Sequence, residues 1–177
     1  MTDITVRRLD EQDWAEFRDV RLAALRESPE AFSATLAEES AFDEATWRER
    51  MVRAPRFLAE HAGAAVGTAS LGRHTSAEGE DGDAAEVFGL WVTPQARGTG
   101  VATALVRAAA YEAQQDGRSH VVYWVGTDNG RAVAFASGLG FRPTDSRRPM
   151  RGSARAEEEI AMILPMGTDH GLRADFG

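Results

Sequence analysis

The stretch Glu86–Tyr111, EVFGLWVTPQARGTGVATALVRAAAY, narrows what this chain can become more than any other. Val87–Val92 is an apolar run rich in β-branched and aromatic residues, suited to a packed strand. Thr93-Pro94 ends it, because proline cannot donate to a ladder. Gln95-Ala96-Arg97-Gly98-Thr99-Gly100 then turns the chain into a helix whose apolar Val101, Leu105, Ala108 and Ala109 recur at helical spacing. A helix start carries unpaired amides and the positive end of the helix dipole. Gly98 and Gly100 clear side chains from those amides, so the pattern predicts a cradle for an anion, most naturally a phosphate. The Lys-Ser/Thr pair of a Walker loop is absent, which argues against a magnesium-bound triphosphate. A dinucleotide loop is disfavoured too, because Thr103 stands where its third glycine would be.

At 177 residues the chain is long enough for one domain with a sizeable core. Its 43% hydrophobic and 27% charged content suits a soluble globular protein. No apolar run reaches the length that crosses a bilayer, and Met1-Thr2-Asp3 opens no signal peptide, so a cytoplasmic location without membrane contact is expected. The chain has no cysteine, which excludes disulfides, thiolate metal sites and a cysteine nucleophile. If acyl groups are moved, direct attack by the acceptor is the simplest route left. His61, His74, His120 and His170 show no metal-ligand spacing, and no metal is expected. The formal charge of −8 argues against a nucleic-acid partner and mildly favours cationic ones such as amines.

Taken in order, Ile4–Leu9 alternates like a strand, and Asp10 or Asp13 can cap a helix from about Trp14 to Glu27. Phe17, Val20, Leu22 and Leu25 are expected to face inward, and Arg18, Arg21 and Arg26 outward. Ser28-Pro29 ends this helix. Leu36–Ser40 reads as a short helical turn, and Asp43 caps a helix that carries Trp47 and Met51 and stops before Pro55. Phe57–His61 and Val66–Leu71 form a hairpin around Ala62-Gly63. His74–Asp83 is a polar, acidic loop, expected to be mobile and read as solvated rather than as an acceptor-recruiting element. Beyond the central helix, closed at Asp116-Gly117, come a strand at His120–Val125 and a helix at Asn129–Ala136 that breaks around Gly138 and Gly140. An arginine-rich loop, Arg147 to Arg155, leads to a last strand, Ile160–Leu164. The expected division is one domain over residues 1–165 and a loose tail over 166–177.

Gln95-x-x-Gly98-x-Gly100, placed after Leu90-Trp91-Val92-Thr93-Pro94 and before an alanine-rich helix, resembles a signature of the GCN5-related N-acetyltransferases (GNAT), Gln/Arg-x-x-Gly-x-Gly/Ala. Asn129-x-x-Ala132 with Gly140-Phe141 is similar to the family's second motif, Asn-x-x-Ala-x-x-Leu-Tyr-x-x-x-Gly-Phe. The run Arg21–Phe32 also looks like a segment of small bacterial members. The likeness covers roughly residues 4 to 165. It implies an α/β (α+β) fold: a mixed, mostly antiparallel sheet of six to seven strands, splayed in the middle and flanked by about four helices. It also implies that two copies can pair through the last strands as a homodimer.

The resemblance further implies acetyl-coenzyme A as co-substrate, its pyrophosphate held by Gln95, Arg97, Gly98, Thr99 and Gly100, with Val101 and Ala102 at the helix start. Trp91, Val92 and Phe135 fall in the same cofactor-binding set. Asn129 would hydrogen-bond near the pantetheine arm, cap its helix, or do both. Gly89 would permit the bulge that splays the sheet, and the Leu90 backbone amide would polarise the thioester carbonyl. Phe32 and Trp47 are either walls of an acceptor pocket or core aromatics. Glu86 sits where histone-type members carry a catalytic glutamate, so it is a candidate base and acceptor contact; the alternative is a solvated strand-end residue. The family often has tyrosine where this chain has Ala136, so the usual general acid is missing. Tyr123 is a substitute, or an ordinary strand aromatic. The implied activity is acetyl transfer to a primary amine, of a small molecule in preference to a protein. A non-catalytic acyl-CoA-binding or sensing protein and a nucleotide binder using the same glycine turn are the alternatives.

Overall fold

The structure, a computed structural model, describes residues 3–73, 83–150 and 157–167. Nearly all of the expected acidic loop, part of the arginine-rich segment and the tail after 167 lie outside the described residues. Seven strands run β1 (Ile4–Leu9), β2 (Arg56–His61), β3 (Ala64–Arg73), β4 (Ala84–Val92), β5 (His120–Gly126), β6 (Arg142–Pro149) and β7 (Glu158–Pro165). Five helices accompany them: α1 (Trp14–Glu27), α2 (Leu36–Ser40), α3 (Glu44–Arg53), α4 (Val101–Gln115) and α5 (Gly130–Gly138). The sheet order is β1-β2-β3-β4-β5-β7-β6, antiparallel throughout except for β4 against β5.

Strand alternation divides the interior into two layers. Phe57 and Ala59 join Val101, Leu105 and Ala109 of α4 on one face, while Leu58 between them joins Phe17, Val20 and Met51 of α1 and α3 on the other. The β2–β3 hairpin turns at Ala62 and Gly63, both at positive φ, as a two-residue turn requires. Asp43 caps α3 through the Thr46 amide at 2.9 Å. Asp10 and Asp13 form a reciprocal capping box on a 3-10 turn that precedes α1, and α1 itself has no side-chain cap.

Two expectations are corrected. Arg21 does not point to solvent: its side chain is 14% exposed and makes a two-bond fork to the buried Glu39 carboxylate, both bonds at 3.0 Å. Helical spacing alone cannot register a buried partner on another helix. Residues 147–149, expected to open the arginine-rich loop, belong instead to the edge strand β6, paired with β7. An edge strand tolerates Pro143 and Pro149, and its mostly exposed side chains leave no alternation to read.

The central strand carries the feature that shapes the site. Thr68 pairs with Trp91 and Ser70 with Phe88, so β4 spends one more residue than β3 across Gly89-Leu90. This is a β-bulge, and Gly89 meets its backbone demand with φ +63°. Beyond it the parallel ladder is gone: β4 and β5 pair only over Ala84–Val87 with His120–Tyr123. β5 continues its pairing with β7 through Gly126, so the sheet parts along one seam between β4 and β5.

Candidate active site

Two cavities flank the unpaired part of β4. The first, about 350 Å³, lies at the start of α4 and is lined by Val92, Ala96, Arg97, Gly98, Gly100, Val101, Ala102, Thr103 and Phe135. Gly98 and Gly100 have φ of +79° and +95°, and a Cβ on either would stand in open space. Glycine is required here by conformation, and the loop leaves the helix start uncovered. Gly100 is the N-cap and has no side chain to satisfy the first amides; the first helical bond runs from the Ala104 amide to the Gly100 carbonyl at 3.0 Å. The amides of Val101, Ala102 and Thr103 therefore start a helix of 15 residues with no side-chain cap. Together with the helix dipole they form a site for a bulky anion.

Arg97 flanks this loop but is held by the protein. Its Nε donates to the Val92 carbonyl at 3.1 Å and its Nη2 to Glu27 Oε2 at 2.9 Å. Glu27 also accepts from Trp91 Nε1 at 3.0 Å and from the Ser28 hydroxyl. The hydrogen bonds from Ser28, Trp91 and Arg97 keep the Glu27 carboxyl below its usual pKa. One carboxylate at the end of α1 thus ties that helix to the glycine loop. Nothing in the sequence singled Glu27 out.

The second cavity, about 190 Å³, lies at the seam itself. Glu86, Phe88, Gly89 and Leu90 of β4 form one wall, Tyr123 and Trp124 of β5 another, and Phe32, Arg148 and Glu159 complete it. Glu86 is not set in a bare apolar mouth: Arg148 Nη1 stands 3.6 Å from its Oε1. Arg148 Nε donates to Glu159 Oε2 at 2.7 Å, and the guanidinium lies 4.2 Å from the Trp124 ring centre. Tyr123 turns toward the α5 side, its ring edge-on to Phe141 at 6.1 Å between centres. Burial, and then the Glu159 carboxylate, push its phenol pKa above the usual value.

A Gly-flanked, uncapped helix start beside a sheet that parts at a bulge agrees with what the resemblance to the GNAT signatures implies. The sequence comparison decides the family: the model of the acetyltransferase (GNAT) family matches residues 14–141. The chain belongs to the GNAT family. A mycothiol acetyltransferase from Thermobispora bispora is 34% identical over 132 residues, which span 75% of this chain and 43% of that protein. The chain covers between 41% and 51% of the length of the curated relatives it matches. Among solved structures, an acetyltransferase from Acinetobacter baylyi superposes with a TM-score of 0.75 at 17% identity, over 96% of both chains. An acetyltransferase from Salmonella typhimurium, solved with acetyl-CoA, gives 0.71 at 20% identity, over 94% of this chain and 96% of that one. These structures share the GNAT fold, a seven-stranded mixed sheet with its helices on both faces.

Most of the expected GNAT site residues fall around the two cavities. Val92, Arg97, Gly98, Gly100, Val101, Ala102 and Phe135 line the first. Phe32, Glu86, Leu90 and Tyr123 line the second. Gln95 and Thr99 are exposed on the glycine loop, where the Thr99 hydroxyl caps back to the Ala96 carbonyl. Asn129 caps α5, its Oδ1 accepting from the Ala132 amide at 3.1 Å. Two aromatics of the expected set lie outside both cavities. Trp47 lines neither cavity; it is 1% exposed, edge-on to Phe17 and under the Arg50 guanidinium. Trp91 faces the α1 layer with its Nε1 on Glu27 and lines neither cavity. Ala136 is fully buried among the residues packed against α4, while Phe135 before it reaches the first cavity. Thr103, Trp124, Arg148 and Glu159 went unpredicted as site residues. Arg148 and Glu159 meet Glu86 only through strand pairing at the far edge of the sheet, which no local motif encodes.

Proposed function

We propose that this chain transfers an acetyl group from acetyl-CoA to the primary amine of a small molecule, by direct attack and without a covalent enzyme intermediate. The observation that carries the reading is the seam: one side opens on an uncapped, glycine-flanked helix start, the other on a carboxylate. The fit to acetyl-CoA rests on the chain's own groups. The amides of Val101, Ala102 and Thr103 would hold the diphosphate, with Arg97 as a charged flank once it exchanges Glu27 for phosphate. Val92 and Phe135 offer apolar contact beside them. When bound, the co-substrate supplies an electrophilic thioester carbonyl and a thiolate leaving group.

The residues of the second cavity handle the acceptor and its protons. Glu86 takes a proton from the acceptor ammonium, directly or through water, so that the nitrogen regains its lone pair. The Leu90 amide, beyond the reach of the β5 ladder, donates to the carbonyl oxygen as negative charge develops there. Tyr123 keeps its own proton, because its pKa is raised, and so serves the departing sulfur as a hydrogen-bond donor. The second amine proton balances the thiolate. Holding both reactants at one seam supplies the rest of the rate.

Calorimetry with acetyl-CoA and thiol release over a panel of amines test this reading. The wild-type protein should bind acetyl-CoA and release thiol with at least one small amine. Gly98→Glu should abolish binding with the fold intact by circular dichroism, because it sets a carboxylate and a Cβ at φ +79° where the diphosphate would lie. Undiminished affinity in that variant would remove the cradle. Binding without thiol release over the whole panel would assign a sensing role instead.

A further inference from the structure

The edge that β4 turns to the seam is partly covered by the protein's own arginine. The Thr93 amide donates to the Val66 carbonyl at 2.8 Å, which makes those two a hydrogen-bonded pair of the antiparallel β3–β4 ladder. Val92, one residue back and opposite Gly67, is then in a non-bonded pair, so its own amide and carbonyl turn away from β3. They face the side from which β5 has parted, since β4 and β5 pair only as far as Val87 and Tyr123. An open strand edge is a template for another extended chain of amides. Here the Val92 carbonyl is taken by Arg97 Nε at 3.1 Å, and Arg97 Nη2 is held by Glu27 Oε2 at 2.9 Å. Val92 and Arg97 both line the cavity at the glycine loop. The same Glu27 oxygen also accepts from Trp91 Nε1 and the Ser28 hydroxyl, so it keeps two donors when Arg97 leaves.

Resting on the acetyltransferase reading above, we propose that Arg97 is a plug on this strand edge, held in place by Glu27, and that the plug selects acetyl donors by their diphosphate. The amide N–H groups of a pantetheine arm compete with Arg97 for the Val92 carbonyl. A donor that ends in bare pantetheine breaks the arginine's bonds and offers it nothing in exchange. A donor with a diphosphate offers the guanidinium a charged acceptor at the start of α4, where Arg97 already stands beside Gly98. A guanidinium has five N–H groups, so those not on Val92 or Glu27 can engage the anion before either bond breaks. The Arg97 and Glu27 side chains are 50% and 33% exposed, so water meets both when they part and the plug is a modest barrier. Glu27 touches no donor in this account; it is a positioning residue that acts through Arg97. A plug and a passive charged flank differ in one consequence. Removing a flank leaves a donor without phosphate unaffected, whereas removing a plug helps it bind.

The test compares acetyl-CoA with acetyl-pantetheine, which has the same thioester and amides but no phosphate. Each is titrated calorimetrically, with no amine present, into the wild type, Arg97→Ala, Glu27→Gln and the double variant. Arg97→Ala should tighten acetyl-pantetheine by about fivefold and weaken acetyl-CoA, two shifts of opposite sign. An arginine with a merely structural role would move both donors in the same direction. Glu27→Gln should tighten acetyl-pantetheine by about threefold, and should add nothing once Arg97 is already alanine. Acetyl-pantetheine affinity that is unchanged or reduced in Arg97→Ala would overturn the proposal, and so would binding too weak to detect in every variant. A Glu27→Gln effect that persists without Arg97 would overturn it as well. The two levels separate on the same preparations. Intact acetyl-CoA binding in the wild type with no gain for acetyl-pantetheine in Arg97→Ala defeats this inference alone; absent acetyl-CoA binding in the wild type defeats the acetyltransferase reading beneath it.

Discussion

Glu39→Gln should be among the most damaging single changes to this protein, although the residue touches neither cavity. Glu39 sits on α2, 3% exposed, and accepts two bonds from Arg21 at 3.0 Å and one from Arg50 at 2.8 Å. A third guanidinium, Arg56, is 4% exposed and bonds neutral partners, the Ser70 hydroxyl at 2.8 Å and the Arg50 carbonyl at 3.0 Å. Burial, and then the charges of Arg50 and Arg21, lower the Arg56 pKa to about 10, with Glu39 acting the other way. Three buried or half-buried guanidinia thus depend on one carboxylate. Removing one member of a buried ion pair typically costs about 3–5 kcal/mol. Arg21 and Arg50 side chains are 14% and 18% exposed and can recover some hydration, so the low end, about 3 kcal/mol, applies here. For a domain of this size that corresponds to a fall in Tm of about 6–12 °C.

The effect also has a pH signature. Burial alone would raise the Glu39 pKa, but the hydrogen bonds and charges of Arg21 and Arg50 outweigh it and hold it below the ordinary 4.5. Its contribution is therefore complete above the unfolded value and is lost as pH falls through the lower folded one. Urea denaturation of wild type and variant should differ by about 3 kcal/mol at pH 7 and converge in acid. A difference under about 1 kcal/mol at pH 7, typical of an exposed pair, would refute the account, and so would a gap that persists to the lowest pH at which both proteins fold.

Two further outcomes concern the seam. Glu86→Gln should lower kcat by about a hundredfold or more and flatten the acidic limb of the pH profile while leaving acetyl-CoA affinity unchanged; an unaltered limb would clear Glu86 of the proton transfer. Tyr123→Phe removes a hydrogen bond to the thiolate and not a proton source, so kcat should fall only about fivefold. A loss of a hundredfold or more in stopped-flow thiol release would instead make Tyr123 the general acid.

Local chemistry made much of this molecule legible. The glycine loop, the Asp43 and Asn129 caps, the Ala62-Gly63 turn and the ends of α1 and α3 each follow from a few adjacent residues, and each lies where those residues placed it. What stayed hidden depends on residues distant in sequence. Arg21 reads as a surface residue of α1 until α2 brings Glu39 under it. Trp47 is aromatic and near the acceptor side in sequence, but only the packing of α1 against α3 shows that Phe17 covers it. The fork of Arg148 between Glu86 and Glu159 requires β6 to pair with β7 and β7 with β5. In β6 itself the prolines and charges that signal a loop also suit an edge strand.

The extra residue at Gly89-Leu90 has two consequences that are usually considered apart. Without it, strict alternation from Val87 would send Trp91 into the α4 layer and Val92 toward α1. With it, Val92 faces α4 and lines the cavity at the glycine loop, while Trp91 faces α1 and reaches Glu27. Because Glu27 also holds Arg97, the inversion of one side chain connects the helix over the acceptor side with the loop at the start of α4. The β4–β5 ladder ends at Val87 and Tyr123, just ahead of the same inserted residue, so Leu90 lies beyond the paired stretch. Opening the sheet and linking its two sides are therefore one structural event. A substitution that straightened β4 would close the seam and turn Trp91 away from Glu27 together.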